Sequence, residues 1–285
     1  MKSVLHKLLL SSLVIILLPM GLAILWTSKT LSTILERRFA EKSASQAEQV
    51  ELLLSEKQET AIGLVHWIAE MPGVRDALKK RDRATLFQHL LPLVGSIQMD
   101  FIEVLDRSGK IFLRVHDPSV FGDTPPLPKD IQGLLQGSGE MSNYGVEDRA
   151  GRAYLRAAES IEEKDILGVV IAGYAINRDL IKKLEHIAGG KVVVAVGQRV
   201  YTSDNSDKTA TQPSATTAAS GGKQEPEWHR NGPSPSLEIR VPLVTDRVSE
   251  GTISIFFPSR EMTTAIQGLQ WALLSVALIG IALAF

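Results

Sequence analysis

Two stretches without a single charged side chain bracket this chain: Leu8–Trp26, LLLSSLVIILLPMGLAILW, and Trp271–Phe285, WALLSVALIGIALAF. A helix needs about 20 predominantly apolar residues to cross ~30 Å of hydrocarbon, and the first run meets that length. Pro19 is tolerated in such a helix, where neighbouring groups satisfy the freed backbone carbonyl, and Trp26 suits the interface. A cleaved signal peptide is the rival reading, because Lys2 and Lys7 make a basic start. The run is longer than a usual signal core, however, and no A-x-A site follows Ala23. The expectation is therefore two membrane spans: one within residues 1–27, the other closing a juxtamembrane helix in 259–285. The chain stops inside the second run, where a terminal carboxylate would lie in hydrocarbon at high cost. It reads as the input portion of a longer protein.

Between the runs the first signal is helical. From Ser28 to Met71, Leu31, Ile34, Leu35 and Phe39 open an apolar stripe. Ala47, Val50, Leu53 and Leu54 continue it, then Ala61, Ile62, Val65 and Ile68. Such a helix spans on the order of 65 Å at 1.5 Å per residue. That is too long for one small globule and suits a stalk over residues 28–73; a plain coiled-coil spacer is the bland alternative. Pro72-Gly73 ends it, and Val74–Lys80 and Arg83–Val94 read as short helices.

The periodicity then changes. FIEVLD (Phe101–Asp106) and IFLRVHD (Ile111–Asp117) are β-type runs joined by Arg107-Ser108-Gly109-Lys110, where Gly109 supplies the left-handed residue of a tight hairpin. A helix over Pro128–Gln136 follows. Strands are expected at Met141–Val146, Ala153–Ile161 and Leu167–Ile176. A second, smaller module opens with an amphipathic helix, Asn177–Ala188, capped by Asn177 and stopped by Gly189. It continues with hairpins Val192–Val196/Arg199–Ser203 and Leu237–Thr245/Gly251–Phe257. Between these lies 204–235, rich in Ser, Thr, Ala, Gly and Pro, which cannot bury enough apolar surface to offset its ordering entropy and reads as a flexible loop. The fold class is α+β: a long helical stalk and two modules built on antiparallel sheets, over 74–176 and 177–258.

Composition narrows function. Net charge −1 and the absence of cysteine argue against nucleic acid as partner and exclude thiol chemistry and disulfides. No nucleophile elbow, phosphate-binding glycine loop or metal-spaced His pair occurs, so no catalytic residue, metal ligand or cofactor is assigned. What remains is a polar cluster on the strands of the first module. Arg114 and His116 share a strand face, as do Tyr154 and Arg156. Tyr174 lies on a neighbouring strand and Tyr144 on the edge strand. Guanidinium forks hold carboxylates through paired hydrogen bonds and tyrosines add directional hydroxyls. The cluster suits a small carboxylate or amino acid, with Glu103 and Asp117 as lesser candidates for an amine. The bland reading pairs Arg114 with Glu103 or Asp117 and leaves Arg156 solvated.

Several stretches resemble the Cache family, the PAS-like extracytoplasmic sensor modules of bacteria. A strand ending in D-x-x-G (Asp106–Gly109) precedes an x-R-x-H-D-P strand (Arg114–Pro118) and an F-G-D loop (Phe121–Asp123). YLRAAESI and ILGVVIAGYAI are similar to the family's last strand pair, with Ser160 where that pattern has proline. The resemblance implies a double Cache region, with a membrane-distal module that binds the ligand and a membrane-proximal one that is degenerate. It implies a homodimer through the stalk, an inner-membrane protein with its sensor in the periplasm, and an N-terminus inside. The signal would pass to an output domain outside this chain: a histidine kinase, a cyclic-di-GMP enzyme or a chemotaxis transducer. The alternative is a structural or protein-interaction module with no small-molecule ligand.

Overall fold

The computed structural model describes residues 2–97, 99–138, 142–149, 152–197, 199–204, 226–229, 236–243, 251–259, 263–268, 271–272 and 275. Helix α1 runs without a break over Lys2–Glu70, 69 residues with Pro19 inside. The first apolar run and the expected stalk are thus one helix. Its buried residues Ala47, Val50, Leu54, Ala61, Val65 and Ile68 recur at steps of three, four and seven residues, as an amphipathic face requires. Among the described residues no helix is long and apolar enough to cross a membrane. Most side chains of Leu8–Trp26 and most of Trp271–Phe285, on which the two-span expectation falls, lie outside the described residues.

Pro72 opens α2 (Pro72–Lys80), where a missing N–H costs nothing. α3 (Arg83–Ile97) starts at Asp82, whose carboxylate accepts from Thr85 N at 3.1 Å and Thr85 Oγ1 at 2.6 Å. Strands β1 (Phe101–Asp106) and β2 (Ile111–Arg114), helix α4 (Lys129–Gln136), and strands β3 (Ser142–Arg149), β4 (Arg152–Glu162) and β5 (Ile166–Ala175) complete the first module. Its sheet has the order β2-β1-β5-β4-β3, antiparallel at each junction. One face packs on α1, α2 and α3 through Ile102, Val104, Leu113, Val170 and Ala172. The other carries Phe101, Leu105, Ile111, Val169 and Ile171 against Ile131 and Leu134 of α4.

The β1–β2 turn is held by Asp106. Its Oδ1 accepts from Ser108 N, Ser108 Oγ and Lys110 N at 2.8, 2.6 and 3.1 Å, and Gly109 takes φ +77°, open to glycine without penalty.

Helix α5 (Arg178–Ala188) follows, capped by Asn177 Oδ1 accepting from Leu180 N at 2.9 Å. Strands β6 (Lys191–Val196), β7 (Arg199–Thr202), β8 (Glu227–His229), β9 (Ser236–Pro242) and β10 (Gly251–Pro258) make a second sheet, ordered β7-β6-β10-β9-β8. Shifting each strand number by five turns the first order into the second, so one topology occurs twice. β8 corrects the sequence reading, which placed 227–229 in a flexible loop; residues 205–225 and 230–235 of that loop lie outside the described residues. By contact density the chain divides into two compact units. One is Gln46–Glu225 with Ile239–Phe256; the other is Met1–Ser45, Pro226–Glu238 and Phe257–Phe285.

Candidate functional site

Alternation along the strands decides which candidates can meet. On the α4 face of the first sheet lie Glu103 of β1, Arg114 of β2, and Tyr154 and Arg156 of β4. Glu103 stands opposite Arg114 in register. Its Oε1 accepts from Arg114 Nε at 3.0 Å. The fork of Arg114 then closes on Asp123, with Nη1 to Oδ1 at 2.9 Å and Nη2 to Oδ2 at 2.7 Å, while Nη1 also donates to the Val120 carbonyl at 3.2 Å. Hydrogen bonding to Asp123 raises the Arg114 pKa above its already high ordinary value. Of the two carboxylates foreseen as its bland partners, Glu103 serves and Asp117 does not; Asp123 takes that place. Asp117 instead accepts from Ser119 Oγ at 2.6 Å and shapes the turn after β2. That loop lies along β2, with Ile111 N donating to Asp123 O at 2.9 Å and Gly122 N to Ile111 O at 2.8 Å. Arg83 of α3 holds its far side, donating to Pro118 O at 2.6 Å and stacking 3.3 Å from the Phe121 ring centroid.

Arg156 is more deeply set, with only 3 % of its side chain exposed. Its Nη2 donates to both carboxylate oxygens of Asp130, at 3.0 and 2.8 Å. Asp130 lies in the first turn of α4, where the helix dipole favours an acid. In register, Arg156 has Gly145 on one side and Gly173 on the other, so both lateral neighbours lack side chains. Gly173 is required by close approach: a Cβ there would stand 2.0 Å from the Leu155 carbonyl oxygen and 2.8 Å from Arg156 Cα. Beyond Gly173 in the same row is Phe101, edge-on to Tyr154 at 5.0 Å and to His116 at 6.3 Å. A buried guanidinium with glycine flanks and an aromatic wall thus sits beneath the start of α4.

Tyr174 is not brought to this cluster. It pairs with Leu155, on the other face, where Lys57 of α1 stands 3.7 Å from its ring centroid and burial raises its pKa. Tyr144 takes the register position opposite Ala157 in β3; its side chain lies outside the described residues. A half-open cleft of about 270 Å³ at the β1–β2 turn, between Leu78, Arg81, Arg107, Phe112 and Leu167, holds none of the candidate residues.

Sequence reasoning missed one further polar contact. On the α1 face, Glu159 of β4 has 2 % of its side chain exposed, and its Oε1 lies 2.8 Å from Nδ1 of His66. Its Oε2 is buried with no partner among the described residues. Burial raises the Glu159 pKa, and the hydrogen bond to Glu159 raises that of His66. A strand glutamate and a helix histidine far apart in sequence carry no local signal of meeting.

Residues 36–240 match dCache_3, the double sensory domain of two-component sensor kinases. The chain belongs to this family. No curated protein matches it. Among solved structures, this double Cache domain is similar to the sensor domain of the V. cholerae histidine kinase DctB at TM-score 0.54 and 12% identity, covering 78% of this chain and 98% of that one. It is also similar to the ligand-binding domain of the Campylobacter jejuni chemoreceptor Tlp3 in complex with 4-methylisoleucine, at TM-score 0.50 and 11% identity, covering 80% and 92%. At these identities the likeness concerns the fold. The repeated strand order is what a double sensory domain requires, and the fold class expected from the sequence holds in its α+β composition, long N-terminal helix and two antiparallel sheets.

Proposed function

We propose that this double Cache domain is the extracytoplasmic ligand-sensing input region of a bacterial membrane receptor, and that it takes a small carboxylate or amino acid beneath α4 in its first module. The observation that carries this reading is Arg156. A buried ion pair is weak evidence for stability, since desolvation offsets much of its attraction. The guanidinium lies over Gly145, where an added Cβ would stand 3.7 Å from Nη1 and Nη2, so its fork is flanked by backbone and by the aromatic wall, and Asp130 is the carboxylate it holds. A ligand carboxylate would take the Arg156 fork in place of Asp130, against Phe101, Tyr154 and His116. Because Asp130 belongs to α4, the exchange would release the start of that helix and couple occupancy to shape. Arg114, already engaged by Glu103 and Asp123, frames this site and holds its loop, and Glu103 and Asp130 are the acids nearest an amine. The amino-acid class gains support from the ligand in the Tlp3 structure.

The proposal retains two membrane spans, in 1–27 and 259–285, with a periplasmic sensor between them and modules over 74–176 and 177–258. Signalling to a cytoplasmic output domain would run through the second span. Dimerisation through α1 fits its exposed apolar side chains: Ile34, Leu52 and Trp67 are 49%, 65% and 49% exposed. At 100° per residue Ile34 and Leu52 share one helix face, with Trp67 about a sixth of a turn away.

The test is a thermal-shift screen of the detergent-solubilised chain against organic acids, amino acids and amines. A ligand at 100 times its Kd adds about 2.7 kcal/mol. A response confined to carboxylate-bearing compounds is expected. No response in any class would favour a protein-interaction module instead. A reporter fused after Asp106 should be periplasmic, and a cytoplasmic result would end the extracytoplasmic reading.

A further inference from the structure

We infer that the domain reads a proton as a second signal, at a site formed by His66 of α1 and Glu159 of β4, and that this proton fastens the end of the long helix to the first sheet. The site is independent of the one at Arg156. Positions 156 and 159 are an odd number of residues apart on one strand, so their side chains leave opposite faces of β4.

Glu159 stands between Ala157 and Ile161, both fully buried in the core that α1 closes. Its side chain is 2 % exposed, so the carboxylate has lost its water. Only Oε1 has a partner, Nδ1 of His66 at 2.8 Å, and Oε2 is buried with none among the described residues. A buried carboxylate is costly unless a charge neutralises it. The surrounding elements do not supply that charge. Glu70 of α1 and Glu162 of β4 are acids that add to the burden. From α2, Arg75 is held by Glu70 at 2.7 Å and donates to Ala69 O at 3.0 Å, and Lys79 is held by Glu163. From α3, Arg83 turns to Pro118 and Phe121, and the His89 ring lies over Gly73. The neighbouring strands β3 and β5 place Ser142 and Val170 opposite Glu159. Among the described residues, the group set to neutralise Glu159 is thus an imidazole, and it does so only when protonated.

The proton has a way in. His66 is 58 % exposed and turns Nδ1 to the acid, so the proton that makes the ring cationic enters at Nε2, from solvent and without opening the core. The Nδ1–H bond fixes the tautomer of the neutral ring. It persists when that proton leaves, but loses its charge assistance. Hydrogen bonding to Glu159 raises the His66 pKa above its ordinary 6.5, and burial raises that of Glu159. The contact is therefore strongest on the acid side and weakens as pH rises through the raised His66 value. His66 lies one turn before the end of α1 at Glu70, so weakening it loosens the helix where it meets the sheet.

The test is hydrogen–deuterium exchange of the detergent-solubilised full chain at pH 6 and pH 8.5, corrected for the intrinsic pH dependence of exchange and read over residues 61–70. No ligand is added, so the outcome does not depend on the Arg156 site. Protection is expected to fall roughly tenfold at the higher pH, about the difference between a charge-assisted and a neutral hydrogen bond. Residues 129–136 of α4 serve as the control and should not respond. Glu159→Gln keeps the shape and removes the charge, and should hold protection over 61–70 equal at the two pH values. His66→Ala strands the charge and should give the weaker protection at both. Equal protection at the two pH values in the parent overturns the proposal, as does a pH response that survives in Glu159→Gln.

Discussion

Arg114→Ala separates a scaffold arginine from a ligand-holding one. The Arg114 and Glu103 side chains are 12% and 5% exposed, whereas Asp123 is 48% exposed. Removing the guanidinium leaves Glu103 as a carboxylate in a poorly hydrated place, while Asp123 rehydrates. Breaking a buried ion pair from one side costs about 3–5 kcal/mol. Because half of this network faces water, the low end, about 3 kcal/mol, is expected. At roughly 2–4 °C per kcal/mol for a domain of this size, the melting temperature should fall by about 6–12 °C. Arg114→Lys keeps the charge but not the fork, and should recover only part of the loss. In a Glu103→Gln background the effect of Arg114→Ala should shrink, since the stranded charge is gone; a double-mutant cycle reads that coupling. The assay is thermal and urea unfolding of the parent and these four variants by circular dichroism. An Arg114→Ala variant that melts within a degree or two of the parent would refute this account of the β2 loop.

Three further outcomes are expected. Gly173→Ala should destabilise by at least the ~1–3 kcal/mol typical of overpacking, because the added Cβ meets backbone rather than a side chain that can move; urea midpoints measure it. Asn177→Ala should cost about 1 kcal/mol through loss of the α5 cap, with no effect on ligand binding. Stability should fall as pH rises through the raised pKa of His66, because a group whose folded pKa lies above its unfolded one stabilises fully only below the unfolded value, near 6.5. The raised Glu159 pKa acts in the same direction from lower pH, and His66→Gln should flatten the slope between pH 6 and 8.5 in unfolding titrations.

What could be read from the sequence follows the range of the forces involved. The β1–β2 hairpin was legible because Asp106, Ser108 and Gly109 make the turn locally. So were α5, with its own cap, and β5, where Ile166, Val169, Val170 and Ile171 make a β-branched run. β8 was not: a three-residue strand set among Ser, Thr and Pro has no period of its own and exists only by pairing with β9. The candidate site divides the same way. Alternation put Arg114 with His116, and Tyr154 with Arg156, on shared strand faces, and left Glu103 and Asp117 both open as partners of Arg114. Which face Tyr174 took depended on the β4–β5 register, which the sequence leaves open by one residue, and a one-residue slip changes the face. Asp130 and Asp123 lie on a helix and a loop whose positions are tertiary facts, so these two acids could not be named in advance as partners of Arg156 and Arg114.

The central claim is that Arg156 exchanges Asp130 for a ligand carboxylate. Calorimetry of the strongest carboxylate from the screen against the parent, Arg156→Ala and Asp130→Asn tests it most directly. Loss of a charge-assisted hydrogen bond costs about 1.5–3 kcal/mol, so Arg156→Ala should raise Kd by roughly 10- to 150-fold. Asp130→Asn, which weakens the internal competitor, should bind as tightly as the parent or tighter. A folded Arg156→Ala that binds like the parent, or an Asp130→Asn that loses binding, would contradict the account.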